Sequence, residues 1–162
     1  VTPPRVAVRT AVAADGARLA ELLDGGALTA KEDPGHAGPY LDALADIAAT
    51  PGNTVLVAEV DGRVVGMCQL IIFRHLQERG GWCAEVESVH VDARERSNGI
   101  GSVLMAAAIE AAEAAGCYRV QLTSHAARTD AQRFYRRLGF TPSHIGYKLL
   151  LGRGRADRGS PG

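Results

Sequence analysis

The chain has 162 residues, 46% of them hydrophobic, with 18 basic against 18 acidic residues, so it has one domain's length and enough apolar content to bury a core. Formal neutrality argues against a dedicated nucleic-acid or membrane-surface protein, which carries a basic excess, and no apolar run reaches membrane-spanning length. Cys68, Cys83 and Cys117 form no Cys-x-x-Cys pair and are odd in number, which speaks against a disulfide framework or a zinc site and for buried thiols in a reducing cytoplasm. The opening stretch Val1–Arg5 holds no signal-peptide core, so a cytoplasmic location is expected.

Val6–Arg9 predicts a first strand. Ala13–Leu23 predicts a helix in which Ala17, Ala20, Leu23 and Leu19 or Leu22 share an apolar side, stopped at Asp24-Gly25-Gly26. Residues 27–39 read as polar and turn-rich. Tyr40–Ala49 predicts a second helix, with Leu41, Leu44, Ala45 and Ala48 at helical spacing. Thr54–Val60 and Arg63–Phe73 predict a hairpin, because Asp61-Gly62 is a preferred two-residue turn. A polar loop leads to a strand over Trp82–Val91. Ile100–Ala115 predicts a helix with Ile100, Leu104, Ala107, Ala108, Ala111 and Ala115 along one face, stopped by Gly116. Tyr118–Ser124 predicts a strand, and Asp130–Leu138 a helix with Ala131, Phe134, Tyr135 and Leu138 on one side. His144–Leu151 predicts a closing strand, whose end from Ile145 to Leu151 is a candidate edge for pairing in a homodimer. The segment 152–162 has no apolar anchor and predicts a flexible tail after a single domain over 1–151.

Between the strand at Trp82–Val91 and the helix at Ile100 lies Arg94-Glu95-Arg96-Ser97-Asn98-Gly99-Ile100-Gly101-Ser102. The first turn of a helix has backbone N–H groups with no internal acceptor, and the helix dipole adds positive charge there. With Arg94 and Arg96 beside it, this turn suits a phosphorylated ligand. Neither a P-loop nor a dinucleotide fingerprint is present. Arg96-x-x-Gly99-x-Gly101 instead resembles the acetyl-CoA loop of the GNAT superfamily of N-acetyltransferases, Gln/Arg-x-x-Gly-x-Gly/Ala. Ala131-x-x-Phe134-Tyr135-x-x-x-Gly139-Phe140 resembles a second signature of that superfamily, A-x-x-F-Y-x-x-x-G-F. The element order β-α-α-β-β-β-α-β-α-β agrees. The resemblance covers about Arg5 to Leu151 and implies an α/β (α+β) GNAT fold, a mixed, mostly antiparallel central sheet flanked by helices. From Trp82 to Tyr147 the chain looks like the aminoalkylphosphonate N-acetyltransferases. Its first half, from Gly25 to Thr50, does not.

The resemblance implies acetyl-CoA as co-substrate and direct transfer of its acetyl group, in a ternary complex, to the primary amine of a small molecule. It places pantetheine against backbone groups of Val89, His90 and Val91, the pyrophosphate on Arg96, Ser97, Asn98, Gly99, Ile100, Gly101 and Ser102, and further cofactor contacts at Asp130 and Phe134. Tyr135 matches the general acid that protonates the leaving thiolate, although its place on an apolar stripe also fits a core tyrosine. Glu85 and Glu87 lie two apart on a strand and so share a face, which Val89 and Val91 join if the alternation continues. Either carboxylate is a candidate general base for the ammonium proton; a solvated strand face or pairing with arginines are the alternatives. No metal is expected. Acetylation of a protein lysine or N-terminus, and a non-catalytic acyl-CoA-binding module, are the other readings.

Overall fold

The computed structural model describes residues 6–26, 38–149 and 151. The chain divides into two compact units, Val1–Thr123 and Ser124–Gly162, described in turn.

Asp61 and Gly62 have φ of 50° and 77°. Positive φ at both central residues matches the twist of the flanking strands, and it is the reason an Asp-Gly pair closes a hairpin. β2 (Asn53–Val60) and β3 (Arg63–Arg74) run antiparallel on either side of it. β1 (Ala7–Thr10) adds antiparallel to β2, and β4 (Trp82–Val91) antiparallel to β3. β5 (Cys117–Leu122) adds parallel to β4, giving a five-stranded sheet in chain order. A parallel neighbour needs a crossover, and α4 (Ile100–Ala114) supplies it. Between β3 and β4, α3 (Gln77–Gly80) is a single turn with Glu78 and Arg79 at positive φ.

Two layers cover the sheet. α1 (Gly16–Gly26) and α2 (Gly38–Ala49) bury Leu19, Leu22 and Leu44 against Ala11, Val55, Val57, Val64 and Met67. α4 covers the other face, where a Cβ on Gly66 would stand 3.3 Å from Ile100 Cγ2. Its buried stripe is Ile100, Leu104, Met105, Ala108 and Ala112. Ala107 and Ala111 are only half-buried and Ala115 is exposed, so the stripe is turned from the expected one. A 3.6-residue period carries it through 100, 104, 108 and 112 with Met105 alongside. Cys68 and Cys83 are fully buried, and burial pushes the Cys68 thiol up to about 12.

In the second unit, α5 (Thr129–Arg137) ends on Gly139, whose φ is 92°. The closing strand expected over 144–151 is not formed among the described residues. Ile145, Tyr147 and Leu149 keep their period of two but stand 80%, 93% and 84% exposed. Alternation alone does not make a strand: the ladder hydrogen bonds must come from a neighbour, and among the described residues no pairing includes this segment. The proposed tail at 152–162 and most of the polar segment 27–39 lie outside the described residues. No helix among the described residues is long and apolar enough to cross a membrane.

Asp15 is the buried charged residue of the described core. Its carboxylate accepts from Arg9 Nη1 at 2.7 Å, Arg9 Nη2 at 3.0 Å and the Val12 amide at 2.8 Å, while Arg9 Nε donates to Glu59 at 2.9 Å. The Arg9 hydrogen bonds, followed by the Val12 amide, hold the Asp15 carboxyl below its usual range against the opposing effect of burial. A depressed carboxylate stabilises the fold above its unfolded pKa, and that contribution disappears as the pH falls through the folded value. Stability is therefore expected to drop as the pH falls below about 4, the ordinary aspartate range. Asp15→Asn should flatten that acid limb in urea-unfolding curves taken across the range, while lowering stability at neutral pH.

Candidate active site

β4 does not keep its pleat. Gln69 pairs with Glu87 but Met67 pairs with His90, so Cys68 alone faces both Ser88 and Val89. The extra residue is a β-bulge, and Ser88 bears it at φ 53°. Cross-strand partners share a face, and residues two apart share a face. Glu85, paired with Ile71, and Glu87, paired with Gln69, therefore lie together as the spacing predicts. Past the bulge the parity inverts. His90 joins the two carboxylates, whereas Val89 and Val91 go to the opposite side, where α4 packs. The expectation that both valines continue the acidic face is thus corrected by one inserted residue.

The acidic face is the one that α1 and α2 cover. Gly26, the last residue of α1, comes so close to His90 that a Cβ would meet Nδ1 at 2.0 Å. Around Glu85 and Glu87 the sheet presents a row of amides. Gln69 Nε2 donates to Asn53 Oδ1 at 2.9 Å, and Gln121 Nε2 donates to Glu85 Oε2 at 3.2 Å. Asn53, Gln69, Glu85, Glu87 and Gln121 are all half-buried. The amides were not singled out from the sequence. Their signal was available: Gln69 and Gln121 interrupt the apolar runs of β3 and β5.

The β5 side of β4 changes just before the bulge. The pairing of β5 with β4 ends at Val86 opposite Leu122. The 87–91 stretch of β4 keeps β3 as its ladder partner and has none on the β5 side among the described residues. That is the stretch whose backbone was expected to meet a cofactor.

At the end of β4 the chain turns through a 3-10 segment, Ala93–Glu95. Asp92 caps it, Oδ1 accepting from the Arg94 amide at 3.0 Å. Asp92 Oδ2 is held by Arg18 Nη2 and lies 3.6 Å from Arg63 Nη1. Arg18 also donates to the Val64 carbonyl at 2.9 Å, and Arg63 to Glu95 at 2.7 Å. The Arg94 amide, with these arginines behind it, holds the Asp92 carboxyl below its usual range. The anchored turn then exposes Arg96, Ser97, Asn98 and Gly99. Gly99, at φ 79°, is the N-cap of α4 and offers no side-chain cap. A Cβ there would meet nothing within 4 Å, so it is the backbone angle that calls for glycine. The result is an open helix N-terminus with Arg94 and Arg96 exposed beside it and no ion-pair partner for either among the described residues.

Asp130, Phe134 and Tyr135 belong to the second unit. Asp130 pairs with Arg133 one helical turn on, at the surface. Tyr135 lies between Phe134 and Phe140, with ring centroids 5.2 Å and 6.0 Å away. Among the described residues no group of three His, Cys, Asp or Glu is placed to hold a metal ion.

The model of the acetyltransferase (GNAT) family matches residues 25–140, and the chain belongs to that family. Among curated proteins it is similar to the aminoalkylphosphonate N-acetyltransferase of Salmonella typhimurium, 34% identical over 69% of this chain and 72% of that one. It is also similar to the probable glucosamine 6-phosphate N-acetyltransferase 2 of Oryza sativa, 31% identical over 67% of each. Among solved structures, a transcriptional regulator from Bacillus halodurans C-125 is similar over 91% of this chain and 100% of that one, at 33% identity and a TM-score of 0.85.

Ser88 carries the bulge at a φ that a β-branched side chain adopts only under strain. Ser88→Val should lower the unfolding free energy by about 1–2 kcal/mol, and Ser88→Gly should leave it equal or higher, by denaturant titration.

Proposed function

We propose that the chain is an acetyl-CoA-dependent N-acetyltransferase that moves the acetyl group directly to the primary amine of a small molecule within a ternary complex. The observation that carries this reading is the interrupted β4. Beside an anion-suited turn its 87–91 stretch is laddered to β3 alone among the described residues, and the same strand brings two carboxylates and a histidine to one face.

The residues fit the cofactor by their own chemistry. The backbone of Val89, His90 and Val91 offers strand-like hydrogen bonds to the amides of pantetheine, and one N–H there polarises the thioester carbonyl. The backbone from Arg96 to Ser102 receives the pyrophosphate through its amides other than those of Asn98 and Ser102, which donate to the Glu95 and Gly99 carbonyls, with Arg94 and Arg96 adding charge. Asp130 and Phe134 are assigned to the same ligand by the motif they belong to.

For the transfer, Glu87 or Glu85 takes the ammonium proton through water, and the neutral nitrogen attacks the thioester carbonyl carbon. The tetrahedral intermediate collapses by breaking the carbon–sulfur bond; the Tyr135 hydroxyl supplies the proton that the leaving thiolate gains, and the second proton that the nitrogen gives up restores the phenol. The assignment of Tyr135 rests on the Phe134-Tyr135-x-x-x-Gly139-Phe140 string. A small-molecule acceptor is supported by the curated relatives, whose names specify aminoalkylphosphonate and glucosamine 6-phosphate.

Release of free CoA thiol from acetyl-CoA, measured against amino acids, polyamines, aminophosphonates, amino sugars and lysine peptides, tests the reading. Turnover confined to one small-molecule class is expected; turnover on lysine peptides alone would overturn it. Tyr135→Phe should lower kcat by about 10²-fold or more and leave the Kd for acetyl-CoA within about twofold, as removal of a general acid does; an equal loss of both would make Tyr135 structural. Gly99→Val should weaken acetyl-CoA binding by about tenfold or more, read by calorimetry, because a β-branched residue disfavours φ 79° at the turn.

A further inference from the structure

A line of side chains runs along the seam between β4 and β5 and ends on Glu85; its other members have no part in the chemistry above. Arg119 Nε donates to Cys83 Sγ at 3.3 Å. The Cys83 thiol lies 3.8 Å from Gln121 Oε1 and donates toward it, the Ala84 carbonyl being its alternative acceptor at the same distance. Gln121 Nε2 then donates to Glu85 Oε2 at 3.2 Å. The parallel register builds the line, since Cys83 faces Arg119 and Glu85 faces Gln121. Cys83 is fully buried, and the Arg119 guanidinium is stacked 5.3 Å from the Tyr118 ring centroid.

Arg119, Cys83 and Gln121 follow one another donor to acceptor in the direction of Glu85, with the Cys83 thiol shared between Gln121 and Ala84. A glutamine amide has an accepting and a donating end, and its neighbours decide which faces where. Here the thiol holds the oxygen end, so the NH2 end is presented to the carboxylate. Hydrogen bonds arranged head to tail polarise one another, and the last is to a group that can carry full charge. Among the described residues the side-chain hydrogen bond to Glu85 is to Oε2 alone, so one carboxylate oxygen is tethered and the other is left for the acceptor.

We propose that Gln121 is a positioning residue that fixes the carboxylate of Glu85 for the acceptor amine, and that Cys83 and Arg119 set the orientation of Gln121. The inference rests on the reading above that Glu85 meets the acceptor. A glutamate side chain has three torsions to freeze, and a tether that freezes them beforehand acts on the acceptor and not on the cofactor.

The test is a double-mutant cycle of Gln121→Leu and Glu85→Gln, with 2-aminoethylphosphonate, glucosamine 6-phosphate and spermidine as acceptors at saturating acetyl-CoA. Gln121→Leu is expected to lower kcat/KM for the accepted amine by about tenfold and to add less than about twofold in the Glu85→Gln background. The rise in Tm that acetyl-CoA gives should stay as in the unaltered chain, which also certifies folding. Gln121→Glu is the second variant. Two carboxylates at hydrogen-bond distance resist joint ionisation, so its activity should recover as the pH falls, when one carboxyl group is protonated and donates, and Gln121→Leu should show no such recovery. Independently of turnover, the Gln121 side-chain amide resonance should move with pH in the unaltered protein and stop moving in Glu85→Gln. An amide resonance indifferent to Glu85, or additive effects in the cycle, would overturn the positioning role while leaving Glu85 in the site. Full activity of Glu85→Gln on the accepted amine would overturn the role of Glu85 and the inference with it.

Discussion

One residue too many in β4 decides most of what this molecule presents. A strand that pairs with neighbours on both sides buries its backbone polar groups in two ladders. The insertion at Ser88 keeps the β3 ladder, which resumes at His90 opposite Met67, while the β5 ladder has already ended at Val86. Among the described residues the 87–91 backbone is thereby laddered to β3 alone, at the edge of the sheet. The same insertion inverts side-chain parity. It carries Val89 and Val91 under α4 as packing residues and turns His90 toward the carboxylates.

The turn that follows depends on a different kind of constraint. Four exposed residues in irregular conformation, Arg96 to Gly99, with Ser97 and Gly99 both at positive φ, have little packing of their own. They are held from behind, where Asp92 collects an amide and two arginines from elements far apart in sequence. The face toward solvent is left with uncommitted N–H groups and positive charge. An anion is the natural complement of such a surface.

Much of this was legible in the chain. The Asp61-Gly62 hairpin, the helix after Gly99 and the pairing of Glu85 with Glu87 on one face follow from local rules of turn chemistry and periodicity, and the structure has all three. The family signatures at Arg96–Gly101 and Ala131–Phe140 are short strings whose spacing survives without tertiary knowledge. What escaped depends on registers between strands. Serine at position 88 gives no local sign of a bulge, because the irregularity belongs to the register between β3 and β4. The tether on Glu85 was out of reach because Gln121 is far away in sequence and becomes a neighbour only through the parallel register. The stripe Ile145, Tyr147, Leu149 shows the converse case, a clear strand pattern that no ladder takes up, since a pattern specifies a face and not a partner.

Arg18 stands on α1, yet its guanidinium grips the first residue of the turn after β4 and the carbonyl of Val64 between them. α1 roofs the carboxylate side of the sheet, and the turn edges the other, cationic side. A molecule that presses on α1 and a molecule that settles on the turn therefore act on one shared ion pair. Whatever free energy one of them stores in or draws from that contact, the other must feel in equal measure. Any such dependence between two ligands is reciprocal by thermodynamic necessity, so the order in which they arrive changes the route by which both come to be bound but not the total strength with which the pair is held.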